Sequence, residues 1–205
     1  MAKKLRLSGG ELVIPAADIA TAVHQVGAEL NKLYAKSDNL IVLPVMKGAI
    51  YFTHDLLKEI NNPHLKLDAI RSKSYKGTKS NGSPSCHMPE LPLIGADVLI
   101  VEDVLDTWIT MAVIIENIVK QKPRTIRIAS AFDKPIHNQQ RSKVEKTVDS
   151  IHVAIHADNV FLLGYGMDVD ELYRNLPFVT MGIETKPGSG IYKPRVSKEQ
   201  FSKTS

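Results

Sequence analysis

Three carboxylates and two threonines crowded behind one apolar run are the residues of this chain best suited to chemistry. Val98-Leu99-Ile100-Val101 leads into Glu102 and Asp103, then Asp106, with Thr107 and Thr110 close after. Carboxylates accept hydrogen bonds from neighbouring hydroxyls, as on a ribose, and ligate hard cations through oxygen. Threonine hydroxyls beside the free N–H groups of a helix's first turn suit an anion. Diol acceptors followed by a phosphate cradle is the chemistry of a ribose-5-phosphate site. The apolar run reads as a buried parallel strand over 98–101, with the carboxylates just past it and a helix from about Trp108. In open α/β sheets that crevice takes the ligand. Trp108 is out of keeping, because a close backbone approach to phosphate favours glycine.

The elements that must position these residues are legible from periodicity. Ile19, Ala22, Val23, Val26, Leu30 and Leu33 recur at helical spacing behind Pro15 and Asp18. A compact apolar run over 40–45 reads as a buried strand, and Lys47-Gly48 turns into a helix over 50–60. Residues 65–70 alternate like a strand. From Ser72 to about Gly95 periodicity disappears, which marks disorder or an active-site lid. The helix from Trp108 runs to about Gln121 and ends at Pro123. Strands follow over 125–131, 150–155 and 160–163. The tail over 185–205, rich in Lys, Gly, Ser and Pro, is expected to be poorly ordered. Alternating strands and helices imply an α/β fold with a mostly parallel sheet.

The 205 residues suffice for one domain with a substantial core. A formal charge of +4 suits a polyanionic small molecule without requiring one. One cysteine excludes an internal disulfide framework and fits a reducing compartment, so the expected location is cytoplasmic. No apolar run approaches the ~18 residues needed to span a bilayer. His152 and His156 alternate with Ile151, Val153 and Ile155, the pattern of a strand face with solvated histidines and not of a helical ligand pair. The basic tail lacks a motif that would read nucleic acid.

Val-Glu-Asp-Val-Leu-Asp-Thr-Trp-Ile-Thr-Met over 101–111 resembles the phosphoribosyl-pyrophosphate motif of type I phosphoribosyltransferases, in a form closest to the hypoxanthine–guanine phosphoribosyltransferases. Val45-Met46-Lys47-Gly48-Ala49, Arg71-Ser72-Lys73-Ser74-Tyr75, Phe132-Asp133-Lys134-Pro135 and Phe161-Leu162-Leu163-Gly164-Tyr165-Gly166-Met167-Asp168, with Glu171, Arg174 and Asn175-Leu176-Pro177 behind it, extend the resemblance over about residues 10–183. It implies a mostly parallel twisted sheet flanked by helices, a small hood formed by terminal segments, and one domain over 1–184 with a flexible loop at about 72–95. It implies transfer of 5-phosphoribosyl from phosphoribosyl pyrophosphate to hypoxanthine or guanine, in a homodimer or homotetramer. By the same resemblance Glu102, Asp103, Asp106, Thr107, Trp108, Ile109 and Thr110 hold the ribose and its 5-phosphate. Lys47, Gly48 and Arg174 meet pyrophosphate, with a cis peptide at Met46–Lys47. Lys134 donates to the purine's exocyclic oxygen, Phe161 stacks on the base and the Leu162 backbone reads its edge. Asp168, with Glu102 and Asp103, is implied to bind Mg2+. Asp106 is implied to handle the proton on the purine ring nitrogen, and Ser74 and Tyr75 to close over the reacting sugar.

Two readings stand beside this one: a xanthine-preferring enzyme, and a non-catalytic nucleotide-sensing regulator that binds RNA on the same fold. Asp106 argues against the second, since a sensor needs no proton-transfer carboxylate. Trp108 departs from the family pattern, which has a glycine or another small residue there. A positive φ would cost tryptophan about 1–2 kcal/mol, whereas a negative φ would let the indole point away from phosphate. The departure is a tolerated variation, a remodelled phosphate site or a mutation that lowers activity. With Glu102, Asp103, Asp106, Thr107 and Thr110 all present, catalysis is expected to survive it.

Overall fold

The structure, a computed structural model, describes residues 3–4, 13–73 and 85–195. Ser74 and Tyr75 lie outside the described residues. In chain order the elements are β1 (Lys3–Lys4), β2 (Val13–Ile14), α1 (Ala16–Tyr34), β3 (Leu40–Met46), α2 (Ile50–Glu59), β4 (Leu65–Leu67), β5 (Ile70–Lys73) and β6 (Ser85–His87). Then come β7 (Asp97–Leu105), α3 (Ile109–Val119), β8 (Thr125–Asp133), α4 (Gln139–Glu145), β9 (Ser150–His156), β10 (Leu162–Leu163), β11 (Val179–Glu184) and β12 (Tyr192–Pro194).

The main sheet runs β1-β9-β8-β7-β3-β5-β6, with β4 also on β3. Every pairing in it is parallel except β5 with β6. Because alternate side chains point to opposite faces, the central strands feed two cores. Leu40 and Val42 of β3, Leu99 and Val101 of β7, and Ala129 and Ala131 of β8 pack with α1 and α2. Ile41, Leu43, Val98, Ile100, Ile126 and Ile128 pack with α3 on the other face. Strands buried on both faces read as continuous apolar runs, which is why β3 and β7 stand out in the sequence.

β10, β11 and β12, with β2 on the other edge of β11, form a small antiparallel sheet. This is the hood, built from both terminal parts of the chain. Four expectations need correction. β7 does not stop at Val101 but continues through Glu102 and Asp103 to Leu105, because β8 accompanies it as far as Asp133. The stretch from Ser72 is not wholly irregular: β5 and β6 pair antiparallel, with Arg71 opposite His87. Residues 185–195 are not a loose tail. The Glu184 carboxylate accepts from the Gly188 and Gly190 N–H groups (2.8 and 3.0 Å), and the turn so closed returns the chain as β12. β9 is the strand expected, but His152 is not solvated. Its side chain is 12% exposed and bonds Ser150 Oγ and Glu29.

Candidate active site

Parallel strands in register bring their carboxyl ends to one edge, and the site gathers there. β3 ends at a cis peptide between Met46 and Lys47. Gly48 follows against Asp103 of β7, so close that a Cβ at 48 would fall on the carboxylate. Gly166, at φ +99°, in turn lies against the Gly48 carbonyl. Glycine is required at both positions because two backbones and a carboxylate share one small space.

A cavity of about 300 Å3 opens between these segments. Its lining brings together Lys47, Gly48, Glu102, Asp103, Asp106, Thr107, Trp108, Thr110, Asp168 and Arg174. Among the residues expected at the site, Ile109, Lys134, Phe161 and Leu162 do not line it. Ile109 is exposed on the first turn of α3, and Phe161 and Leu162 lie at the hood. A larger cavity, about 720 Å3, lies between α1 and β9 and includes His24, Glu29, Asp133, Arg141 and His152. Those side chains hold ion pairs of the fold, and none of the motif carboxylates lines it except Asp133 beside Lys134.

Lys134 joins the site through Asp106. The Lys134 N–H donates to the Leu105 carbonyl (3.0 Å), continuing the β7–β8 register by one step. That places Asp106 beside Lys134, whose Nζ donates to Asp106 Oδ2 at 2.7 Å. The lysine side chain is 8% exposed and the aspartate 42%, so a buried cationic donor is joined to the cavity by the open carboxylate that it bonds.

Glu102, which is buried, and Asp103, which is half-buried at the cavity wall, form an acidic pair. Burial, and then the charge of Asp103, push the Glu102 carboxyl well above its usual range; burial also raises Asp103. The Asp103 N–H donates to Glu102 (3.2 Å) and the Val104 N–H to Asp103 (2.8 Å). Two adjacent carboxylates that bond each other and backbone N–H groups at the cavity wall are a donor set that could hold a cation. Across the cavity Asp168 accepts from Arg174 (2.8 Å) and from the Glu171 N–H (2.9 Å).

Glu171 is the residue whose part the motif reading did not bring out. Its Oε2 accepts from Lys47 Nζ (3.1 Å) and from Arg174 Nε and Nη2 (3.2 and 3.1 Å), and these two cations hold its carboxyl below the usual range. A single carboxylate thus brings together both cations expected to meet pyrophosphate. The i, i+3 spacing of Glu171 and Arg174 is the only sequence signal for it.

Trp108 precedes α3 at φ +66°, ψ −2°, the left-handed conformation that favours glycine. Yet the residue is only 2% exposed, packed in the core cluster with Met111, Ala112 and Val144. Arg141 of α4 lies over the indole, its Cζ 4.7 Å from the ring centroid. The same guanidinium bonds both Asp133 oxygens (3.2 Å each), Glu145 (2.8 Å) and the Lys134 carbonyl (3.3 Å). Asn138 caps α4 and donates to the Thr107 carbonyl (2.9 Å). The backbone at Trp108 is therefore left-handed as a glycine's would be, while the indole is absorbed by the core under α4. The indole Nε1–H finds no acceptor among the described residues.

A parallel sheet whose strand ends carry an acidic pair, a threonine-bearing helix start and a lysine–glycine loop defines the phosphoribosyltransferase class. The phosphoribosyl transferase domain model matches residues 16–170, and the chain belongs to that family. It is similar to the hypoxanthine-guanine phosphoribosyltransferase of Streptococcus thermophilus, 34% identical over 164 residues that cover 79% of this chain and 87% of the relative. The hypoxanthine-guanine-xanthine phosphoribosyltransferase of Tritrichomonas foetus is 32% identical over 163 residues, covering 79% and 85%. Among solved structures, a hypoxanthine phosphoribosyltransferase from Staphylococcus aureus superposes with a TM-score of 0.71 at 31% identity, over 84% of this chain and 90% of that one. The architecture is the type I phosphoribosyltransferase fold.

Proposed function

We propose that this enzyme transfers 5-phosphoribosyl from phosphoribosyl pyrophosphate to hypoxanthine or guanine, as the relatives' names describe for those proteins. The observation that carries the choice of base is the Asp106–Lys134 pair, 2.7 Å apart. A 6-oxopurine presents its carbonyl oxygen beside the ring nitrogen N7, and when N7 carries the proton that edge offers one acceptor and one donor. Lys134 supplies the donor and Asp106 the acceptor. Adenine offers Lys134 an amino donor where hypoxanthine offers an acceptor, so that contact is lost and two donors meet, which disfavours it.

In this reading Glu102 and Asp103 accept from the ribose hydroxyls, while Thr107, Thr110 and the N–H groups opening α3 hold the 5-phosphate. Trp108 and Ile109 take part through their backbone. Lys47, Gly48 and Arg174 receive the pyrophosphate, whose charge displaces the exposed Glu171 carboxylate from the two cations. As N9 of the base bonds to C1′ of the ribose, the C1′–pyrophosphate bond breaks and its electron pair leaves with the pyrophosphate oxygen. Asp106 takes the N7 proton as the ring becomes cationic. Phe161 is the stacking platform and the Leu162 backbone reads the base edge. Ser74 and Tyr75 close over the sugar in the same reading.

The donor set fits magnesium, which the family reading implies. Among the described residues no group of three metal-ligating side chains forms a cage, and Mg2+ characteristically uses one or two carboxylates plus substrate phosphates. Asp168, Glu102 and Asp103 face one cavity, and one or two of these carboxylates, with the substrate's phosphates, would hold it there. When bound, it neutralises charge on the leaving pyrophosphate. Hypoxanthine, guanine, xanthine and adenine, each assayed with phosphoribosyl pyrophosphate and magnesium, test the proposal. Turnover of hypoxanthine and guanine but not adenine is expected. Strong xanthine turnover would move the enzyme toward the Tritrichomonas type. RNA binding without any nucleotide formation would replace the enzyme with the regulator reading.

A further inference from the structure

Tyr192 belongs to none of the motifs, yet it sits against the residue proposed to carry the base. β12 pairs antiparallel with β11, placing Tyr192 opposite Glu184 and Pro194 opposite Gly182. Alternate residues of a strand share a face, so positions 182, 184, 192 and 194 lie on one side of the hood. On the other edge of β11 the Gly182 N–H donates to the Phe161 carbonyl at 2.7 Å. Phe161 and Tyr192 therefore flank β11 from opposite edges. Gly182 has no side chain to hold them apart, and a Cβ there would stand 2.6 Å from Phe161 Cδ1. The two rings meet as a stack, centroids 4.4 Å apart and planes 15° apart.

An aromatic ring has two faces to offer. Tyr192 takes one face of Phe161, and Phe161 remains 37% exposed. We propose that Tyr192 is a positioning residue of the base site: it backs the Phe161 ring, fixing its plane so that the purine stacks on the outer face as a third layer. This rests on the reading of Phe161 as the base platform. A lone exposed phenylalanine would turn about χ1 and χ2, and each base bound would have to immobilise it. With the ring already held by Tyr192 that ordering is done before the base arrives, and the difference falls on base affinity alone. The tyrosine hydroxyl has no part in the stack, so phenylalanine should replace it.

The test compares Tyr192→Ala, Tyr192→Phe and Phe161→Ala, reading KM for hypoxanthine and KM for phosphoribosyl pyrophosphate separately, with thermal midpoints as a folding control. Tyr192→Ala should raise the hypoxanthine KM by roughly threefold to tenfold, the worth of one aromatic pair, while the other KM moves by less than about twofold. Tyr192→Phe should behave as the parent. If Phe161→Ala raises the hypoxanthine KM and Tyr192→Ala does not, the backing role is overturned and the platform stands. A fall in KM with Tyr192→Ala also overturns it, since Tyr192 would then be covering the base's own face. Equal rises in both KM values, unrescued by phenylalanine, reduce Tyr192 to a structural prop. If Phe161→Ala leaves the hypoxanthine KM unchanged, the platform reading fails and the inference with it.

Discussion

Replacing Trp108 with glycine restores the residue its backbone conformation favours, and the structure nonetheless expects the protein to lose stability. Two effects favour the change. A non-glycine residue at φ +66° carries about 1–2 kcal/mol of strain, and a buried indole N–H without an acceptor costs about 1–2 kcal/mol more. Two losses oppose it, and together they are greater. Truncating a tryptophan in a core costs about 3–5 kcal/mol, and Trp108 is 2% exposed. Its stack with Arg141 adds about 1 kcal/mol. The losses win by about 2 kcal/mol, which for a chain of this size lowers the thermal midpoint by about 4–8 °C. The assay is thermal unfolding of Trp108→Gly beside the parent, with nucleotide formation from hypoxanthine measured in both. The parent should turn over, because the indole lies in the core while Thr107 and Thr110 line the cavity. A variant as stable as the parent, or more so, would refute the claim that the indole anchors this loop. A silent parent and an active variant would refute the claim that the phosphate site tolerates it.

Asp106→Asn keeps the shape of the Lys134 pair but removes the proton acceptor, so kcat should fall by about 10²-fold or more, the usual worth of a general base; steady-state assays across pH read this. Glu102→Gln removes a carboxyl whose charge is disfavoured first by burial and then by Asp103, and it should raise the thermal midpoint of the substrate-free protein by about 2–4 °C per kcal/mol so relieved, while magnesium-dependent turnover falls. Asp97, at the opposite end of β7, is held below the usual carboxylate range chiefly by Arg124 (2.6 Å), with Ser37 and Thr125 assisting against its burial. A depressed folded value gives stability that is complete above the unfolded value of about 3.9 and is lost as pH falls through the folded one. Arg124 is half-exposed, so Asp97→Asn should cost about 1–2 kcal/mol near pH 7, the worth of hydrogen bonds to a charged group reduced by solvent screening, and the gap to the parent should narrow steadily in urea titrations below about pH 4.

The order of residues along the chain determined much of this protein. The apolar runs of β3, β7 and β8 and the helical spacing from Ile19 to Leu30 are local patterns, and burial on one face or two writes them directly into residue type. The segment 101–111 is likewise local: its carboxylates and threonines are neighbours in sequence, so their chemistry is legible without a fold. The end of β7 was not, because Glu102 and Asp103 look like loop residues until β8 is seen continuing beside them. α4, β11 and β12 were not either, being short or stabilised by partners farther along the chain, such as Phe161 for Gly182.

What tertiary structure alone decided is which distant residues share a space. Asp106 reaches Lys134 through the β7–β8 register, Lys47 reaches Arg174 through Glu171, and Phe161 reaches Tyr192 across a glycine. Trp108 shows the division most plainly. Its misfit with a phosphate loop is visible in the sequence, but φ at one residue depends on how the chain enters α3, and the indole's place depends on Arg141, 33 positions away. Residue type is a property of one position; a backbone angle and a packing partner belong to the whole folded chain.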